Sequence, residues 1–141
     1  MTAPAWLTGQ RFALVDIETT GLDIEADRVV QIAVVRIDAG EIAEQWSSLV
    51  NPGTPIPSAA SEIHGITDAS VADAPTFAAV AGEIARLCKG RTLCGYNAAS
   101  FDVPFIRQEM LRAGRRVGHR VPVDPMVWLK HVERNDYVRG K

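Results

Sequence analysis

Hydrophobic and polar positions alternate near the start of the chain as they do in a half-buried β-strand. Across residues 11–18 the side chains divide between two faces, because successive side chains of a strand point to opposite sides. One face holds Phe12, Leu14, Asp16 and Glu18, and the other holds Ala13, Val15 and Ile17. Two further strand-like segments, 29–37 and 42–50, are joined by turn residues. The pattern predicts an antiparallel meander of three strands.

Strands and helices alternate in the rest of the pattern. Apolar residues recur at helical spacing over 76–89, between Pro75 and Gly90, and a second helix is predicted over 101–113. Residues 92–96 read as a short strand between these helices. A fifth strand is predicted over 121–124, at a sheet edge because Pro122 cannot donate to a ladder. We therefore expect an α/β fold with a mixed five-stranded sheet, built from the meander plus βα units, with helices on its faces.

Composition agrees with one globular domain and excludes a disordered or fibrous protein. The chain has 141 residues, of which 47% are hydrophobic and 23% are charged. No apolar stretch approaches the roughly 18 residues of a membrane span, and no signal peptide is recognised. The two cysteines, Cys88 and Cys94, fit no metal-binding spacing. We expect a cytoplasmic protein with reduced, buried thiols and no membrane partner.

Charge is unevenly distributed along the chain. The net charge is only -2, yet the first 100 residues carry 6 basic and 12 acidic side chains, whereas the last 41 carry 9 basic and 5 acidic ones. Twelve of the 15 basic residues are arginine, which binds phosphate in a bidentate manner. A GC-rich genome would produce the same arginine bias, so the basic tail is compatible with nucleic-acid binding without establishing it.

Two carboxylates at strand spacing are the most informative chemical feature. Asp16 and Glu18 follow Phe12 and Leu14 on one strand face, so both carboxylates point to one place. Neighbouring carboxylates repel each other unless a cation lies between them, and divalent cations prefer such oxygen ligands. The alternative is a polar strand end without a ligand. A solvated pair is not expected to end an otherwise apolar face, which favours a metal site.

A third acidic residue, Asp102, lies at the start of the second predicted helix. It follows the strand of residues 92–96 after a loop that contains Asn97. An acidic residue at this place also serves simply to stabilise a helix N-terminus, and both roles are compatible. If the strand that precedes Asp102 and the strand that contains Asp16 are neighbours in the sheet, the acidic groups converge at one edge.

Four segments resemble a known family, in the order in which that family has them. They are DIETTGL at 16–22, IHGIT at 63–67, PTFAAVAGEI at 75–84 and GYNAASFDVPFI at 95–106. These segments are similar to the DnaQ-like group of DEDD-type 3′ to 5′ exonucleases, which includes the proofreading ε subunit of bacterial DNA polymerase III. The resemblance implies an RNase H-like fold with helices on both faces of the sheet.

The resemblance also implies a role for each matching residue. Asp16 would bridge two Mg²⁺ or Mn²⁺ ions, with Glu18 on one ion and Asp102 serving the other directly or through water. The residues implied to surround the 3′-terminal nucleotide are Thr19, Gly21, Leu22, His64, Asn97 and Phe101. Without the family, the threonines and glycine would read as turn residues and His64 as part of a polar loop.

The family's third motif, a general-base histidine followed five positions later by an aspartate, has one match in spacing. His131 and Asp136 have that spacing. They come too soon after Asp102, in a segment that resembles the one preceding the third motif, so we interpret the match as accidental. Residues 1–141 are accordingly expected to form a single exonuclease domain that lacks the final helices and the third motif, and to be weakly active or inactive. Core left exposed would need cover from a second chain, which allows a homodimer.

The resemblance implies a metal-dependent 3′ to 5′ exonuclease that releases nucleoside monophosphates from single-stranded DNA ends, in proofreading or repair. One alternative is an RNA-trimming relative of the RNase T or oligoribonuclease type, because a carboxylate site does not read the 2′-hydroxyl. Another is a non-catalytic module that binds nucleic acid or a DNA polymerase subunit.

Overall fold

Four strands form a mixed sheet with the first strand in an inner position. The computed structural model describes residues 9–117 and 121–125. The strands are β1 (Arg11–Thr19), β2 (Val29–Asp38), β3 (Glu41–Leu49) and β4 (Thr92–Cys94), in the order β3-β2-β1-β4. Strands β1, β2 and β3 pair antiparallel, and β4 pairs parallel with β1. The predicted meander is confirmed, and β1 has a sequence-distant strand on its other side.

Four α-helices accompany the sheet in the described residues. They are α1 (Ser58–His64), α2 (Asp68–Val71), α3 (Phe77–Cys88) and α4 (Val103–Arg112), and a π-helical turn, Ala98–Asp102, leads directly into α4. Helix α3 starts where the Thr76 side chain accepts a hydrogen bond from the Ala79 amide, which satisfies one of the free donors of the first turn.

The main core lies between the sheet and the two longer helices. Ala13, Val15 and Ile17 of β1 are buried against α3 and α4, whose largest core side chains are Phe77 and Phe105. The alternate residues of β1 point away from this core, so Asp16 is exposed and Glu18 half-buried. A smaller cluster, formed by Val30, Ile56, Ile66 and Val71, lies under α1 and α2. The period-two pattern correctly predicted that Asp16 and Glu18 share one face of β1 with Phe12 and Leu14. That face, expected to be otherwise apolar, is the one turned away from the main core, and Leu14 on it is 39% exposed.

The segment after β3 departs from the sequence prediction in two places. Strand β4 ends at Cys94 rather than at residue 96. The next residue, Gly95, approaches β1 so closely that a Cβ there would lie 2.6 Å from the Val15 carbonyl oxygen. The predicted fifth strand is a single parallel bridge between Cys94 and Val123. The Val123 amide donates to the Leu93 carbonyl at 3.0 Å, whereas the preceding proline has no amide to extend the pairing.

Both cysteines are free, Cys88 buried and Cys94 half-buried, and burial raises the pKa of each thiol to about 11. No helix within residues 9–117 and 121–125 is long and apolar enough to cross a bilayer. The sequence interpretation of His131 and Asp136 concerns positions outside the described residues.

Candidate active site

The exposed end of β1 carries two of the three predicted acidic residues. Asp16 and Glu18 project from the face opposite the main core, and Thr19 and Thr20, which follow, are buried. Within the part of the chain that the structure describes, neither carboxylate forms an ion pair with a basic side chain. Strand geometry alone therefore holds two negative charges close together without a compensating cation from the described residues.

Asp102 is brought to the same strand from 85 residues away. Its Oδ2 accepts a 2.9 Å hydrogen bond from the backbone amide of Ile17, the residue between the two β1 acids. Asp102 is 5% exposed. Burial raises the pKa of its carboxyl to about 6; the Ile17 hydrogen bond opposes the rise, and the charges of Asp16 and Glu18 reinforce it. The three carboxylates are thus close enough to repel one another, as the sequence analysis predicts.

The turn that carries Asp102 is fixed by a second buried acid. Asp124 accepts hydrogen bonds from the backbone amides of Asn97 at 2.9 Å and Ala99 at 3.1 Å, and it is 5% exposed. Asn97 adopts a positive φ of 58°, and its side-chain oxygen accepts from the Ser100 hydroxyl at 2.7 Å. Sequence reasoning did not identify Asp124; the available signal was an acidic residue at the end of an otherwise apolar strand-like segment.

The donor chemistry fits a hard divalent cation, although the side chains are not arranged as a completed site. Three carboxylates supply the oxygen ligands that Mg²⁺ and Mn²⁺ prefer. Among residues 9–117 and 121–125, no group of three histidine, cysteine or acidic side chains is positioned to hold an ion as it stands. Asp102 is fixed by the Ile17 amide, whereas Asp16 is exposed on its strand. If an ion were to bind, the β1 side chains would be the ones to close around it.

A groove of about 440 Å³ opens beside these carboxylates. Its walls come from the end of β1, the segment that follows β1, helix α1 and the π-helical turn. The residues that line it are Glu18, Thr19, Thr20, Gly21, Leu22, Pro57, Ala59, Ala60, Ile63, His64 and Phe101. Five of the six residues predicted to bind substrate are among them, and Asn97 is not. Two apolar side chains at the groove, Leu22 and Ile63, are 85% and 86% exposed.

The polar side chains along the groove form hydrogen bonds within the protein. The Ile66 amide donates to His64 Nδ1 at 3.1 Å, so the ring proton is on Nε2, which donates to the Thr19 carbonyl at 3.0 Å. The Thr19 hydroxyl donates to the Gly21 carbonyl at 2.6 Å. His64 consequently ties the end of α1 to the end of β1. The substrate contacts assigned to these residues and to Asn97 remain predictions.

Comparison with known proteins relates this arrangement to nucleases. A family model described as Exonuclease, RNase_T, matches residues 14–132. A DNA polymerase III subunit epsilon-like protein of Rhodobacter capsulatus is 42% identical over 113 residues, which are 78% of this chain and 16% of that protein. The 3'-5' exonuclease DinG of Bacillus subtilis is 37% identical over 106 residues, 74% of this chain and 11% of that protein. The chain thus spans less than a fifth of the length of either relative.

Solved structures of exonuclease I share the fold. A metal-free complex of the Escherichia coli enzyme with single-stranded DNA has a TM-score of 0.75 at 24% identity and covers 91% of this chain and 30% of that one. A zinc-bound form of the same complex has a TM-score of 0.69 at 26% identity, with 84% and 26% covered. The predicted RNase H-like α/β fold is confirmed. Together with the family match over most of its length, this shows that the chain belongs to the RNase_T exonuclease family.

Proposed function

We propose that this domain is a metal-dependent 3′ to 5′ exonuclease that acts on single-stranded DNA ends. The observation that carries the proposal is the convergence of Asp16, Glu18 and Asp102 beside an apolar groove. The names of the relatives, one epsilon-like and one a 3'-5' exonuclease, support this reaction and a replication or repair setting. A polymerase subunit as partner belongs to the same proposal.

The carboxylates would hold the cations from two sides. Asp16 and Glu18 approach from β1, and Asp102 approaches from the turn before α4, already oriented by the Ile17 amide. A pair of bound divalent ions activates a water molecule and stabilises both the attacking and the leaving oxygens of an in-line displacement at phosphorus. The protein contributes fixed carboxylate positions, which limit the reorganisation needed when a cation and the scissile phosphate arrive.

The groove would receive the 3′-terminal nucleotide. Leu22, Ile63 and Phe101 supply apolar and aromatic surface on which a base can pack, independently of its identity, because every base has an apolar face. The ring nitrogens of His64 and the hydroxyl of Thr19 form internal hydrogen bonds, so they hold the wall rather than read the edge of a base. Glu18 also lines the groove, so a nucleotide bound here would lie beside one of the carboxylates proposed to hold the cations.

Titration with Mn²⁺ tests the proposal most directly. Asp16→Asn should abolish Mn²⁺ binding measured by calorimetry, because the exposed acid that would complete the site from β1 is lost. Asp73→Asn, at an exposed acid after α2, is the matched control and should bind as the wild type does. Equal Mn²⁺ affinity of wild type and Asp16→Asn would contradict the assignment.

Digestion of a 5′-labelled, single-stranded oligonucleotide, resolved on a denaturing gel, tests the reaction itself. We expect stepwise shortening that requires Mn²⁺ or Mg²⁺ and is lost in Asp16→Asn. Cleavage at internal positions would contradict exonuclease action, and a matched RNA oligonucleotide determines whether the sugar is discriminated.

A further inference from the structure

The segment between β1 and β2, residues 20–28, forms one wall of the groove and is here called the groove loop. Its two ends are bonded to each other: the Thr20 amide donates to the Arg28 carbonyl at 2.8 Å, and the Arg28 amide donates to the Thr20 hydroxyl oxygen at 3.0 Å. The Thr20 hydroxyl in turn donates to Asp27 at 3.0 Å. Because the loop is closed in this way, a group that holds it determines where Gly21 and Leu22 stand in the groove.

Helix α4 holds the base of the groove loop through a buried acid. Glu109 is 1% exposed, and its Oε1 accepts from Arg28 Nε at 2.7 Å. Its Oε2 accepts from the Val29 amide at 3.2 Å. Both partners lie at the junction of the loop with β2, so Glu109 fixes that junction to α4 across 81 residues of sequence.

A second connection reaches the middle of the same loop. Arg112, one turn further along α4, donates to Glu109 Oε1 at 2.9 Å and also donates to the carbonyl of Glu25. An arginine can make both bonds because its planar guanidinium presents donors in several directions. The groove loop is therefore attached to α4 at its base and at its middle.

From these contacts we propose that Arg112, bonded to Glu109, is a positioning residue for the groove: it fixes the groove loop and thereby the affinity for a nucleic-acid 3′ end. Neither Arg112 nor Glu109 lines the groove, so each acts through the loop and not through contact with the nucleotide. The inference rests on the proposed function, since it assigns the groove to a nucleotide.

A purely structural role of Arg112 predicts a different result. If Arg112 only stabilised the fold, its loss would lower the midpoint of unfolding while the folded protein bound an oligonucleotide unchanged. If it positions Leu22, its loss would weaken binding, and the loss would matter little once Leu22 is already shortened, because residues that act through one another are not additive.

The experiment measures binding of a 3′-ended, fluorescein-labelled dT oligonucleotide by anisotropy, in EDTA so that hydrolysis does not intervene. Arg112→Ala and Leu22→Ala should each weaken binding by about tenfold. The affinity of the double variant should be within about twofold of that of Leu22→Ala. Arg112→Lys, which keeps the charge and part of the donor set, should bind with intermediate affinity.

Arg86→Ala is the matched control. Arg86 also bonds two partners, Glu83 and Glu44, but it lies on α3 and touches neither the loop nor the groove. It should bind the oligonucleotide as the wild type does. Two results would overturn the positioning role. One is an affinity loss in the Arg112→Ala, Leu22→Ala double variant that equals the product of the two single losses, and the other is unchanged affinity in Arg112→Ala.

Hydrogen exchange of the amides of residues 20–28, measured without DNA, separates this inference from the proposed function. We expect faster exchange in Arg112→Ala and no change in Arg86→Ala. Unchanged exchange in Arg112→Ala overturns the attachment of the loop. If exchange responds but the wild type binds no oligonucleotide, the role in affinity fails; the proposed function fails as well only if the wild type also digests no oligonucleotide with Mn²⁺.

Discussion

Two carboxylate arrangements in this molecule, around Glu109 and around Asp102, differ in whether their negative charge is compensated. Glu109 is surrounded by two arginines and a backbone amide, so its charge is compensated within the protein. Asp102 receives a hydrogen bond from the Ile17 amide and faces two further acids. The first arrangement fastens a helix to a loop. The second retains like charges that the described part of the chain does not neutralise, as expected where an external cation completes the structure.

Removing the Glu109 carboxylate tests the compensated arrangement. Glu109→Ala should lower the free energy of unfolding by about 3 kcal/mol, because Arg28, Arg112 and the Val29 amide lose a buried acceptor. Chemical denaturation measures the change. Glu83→Ala, which breaks an exposed ion pair with Arg86, should lower the free energy of unfolding far less, because solvent screens an exposed pair. Similar losses in both variants would remove the contrast between a buried and a surface acid.

Asp124 lies between the two extremes, since it is compensated by backbone amides and supports the turn that carries Asp102. Asp124→Ala should cost about 2 kcal/mol, the usual range for charge-assisted bonds to a turn. It should also weaken Mn²⁺ binding, because Asp102 is held less firmly. Asp68→Ala, which removes an acid bonded to the Ile56 amide, should leave Mn²⁺ affinity unchanged. Loss of stability in Asp124→Ala with unaltered Mn²⁺ affinity would separate Asp124 from the site.

Removing the uncompensated charge of Asp102 should change the free energy of unfolding in the opposite direction. In EDTA at neutral pH, Asp102→Asn should stabilise the fold by about 1 kcal/mol, because folding no longer buries a carboxylate charge and no longer places it beside Asp16 and Glu18. Added Mn²⁺ should raise the unfolding midpoint of the wild type more than that of the variant. A destabilised variant in EDTA would mean that the Asp102 carboxylate is already compensated.

Sequence periodicity was sufficient for the β1 acids because strand geometry is local. Alternation along 11–18 placed Asp16 and Glu18 together on one face, as the structure has them, although it did not identify that face as the one opposite the core. The helix over 76–89 was also recognisable, since its proline, threonine and glycine boundaries are local signals, and the structure gives Phe77–Cys88. Asp102 could be connected to β1 only through family resemblance and an assumed strand order.

Other features depend on contacts that no local pattern encodes. Glu109 reads as an ordinary helix acid, and only tertiary structure brings it to Arg28. The π-helical turn before α4 arises where Asp124 holds two backbone amides of the preceding segment, a contact across more than 20 residues. The internal bonds of both His64 ring nitrogens are likewise invisible in the sequence. Long-range polar contacts, not the hydrophobic pattern, are what sequence reasoning missed.

The position of β1 between β2 and β4 has a consequence for the order of folding. Its partner β2 follows it closely in the chain, whereas β4 pairs Thr92 with Phe12 only after the intervening helices have been passed. Closing the shorter loop costs less chain entropy, so the hairpin of β1 and β2 is expected to form before β4 joins the sheet. Asp16 and Glu18 are therefore arranged early, and Asp102 reaches them only when the last strand docks. The three acids are then expected to meet only late in folding, so partly folded chains would lack the proposed cation site.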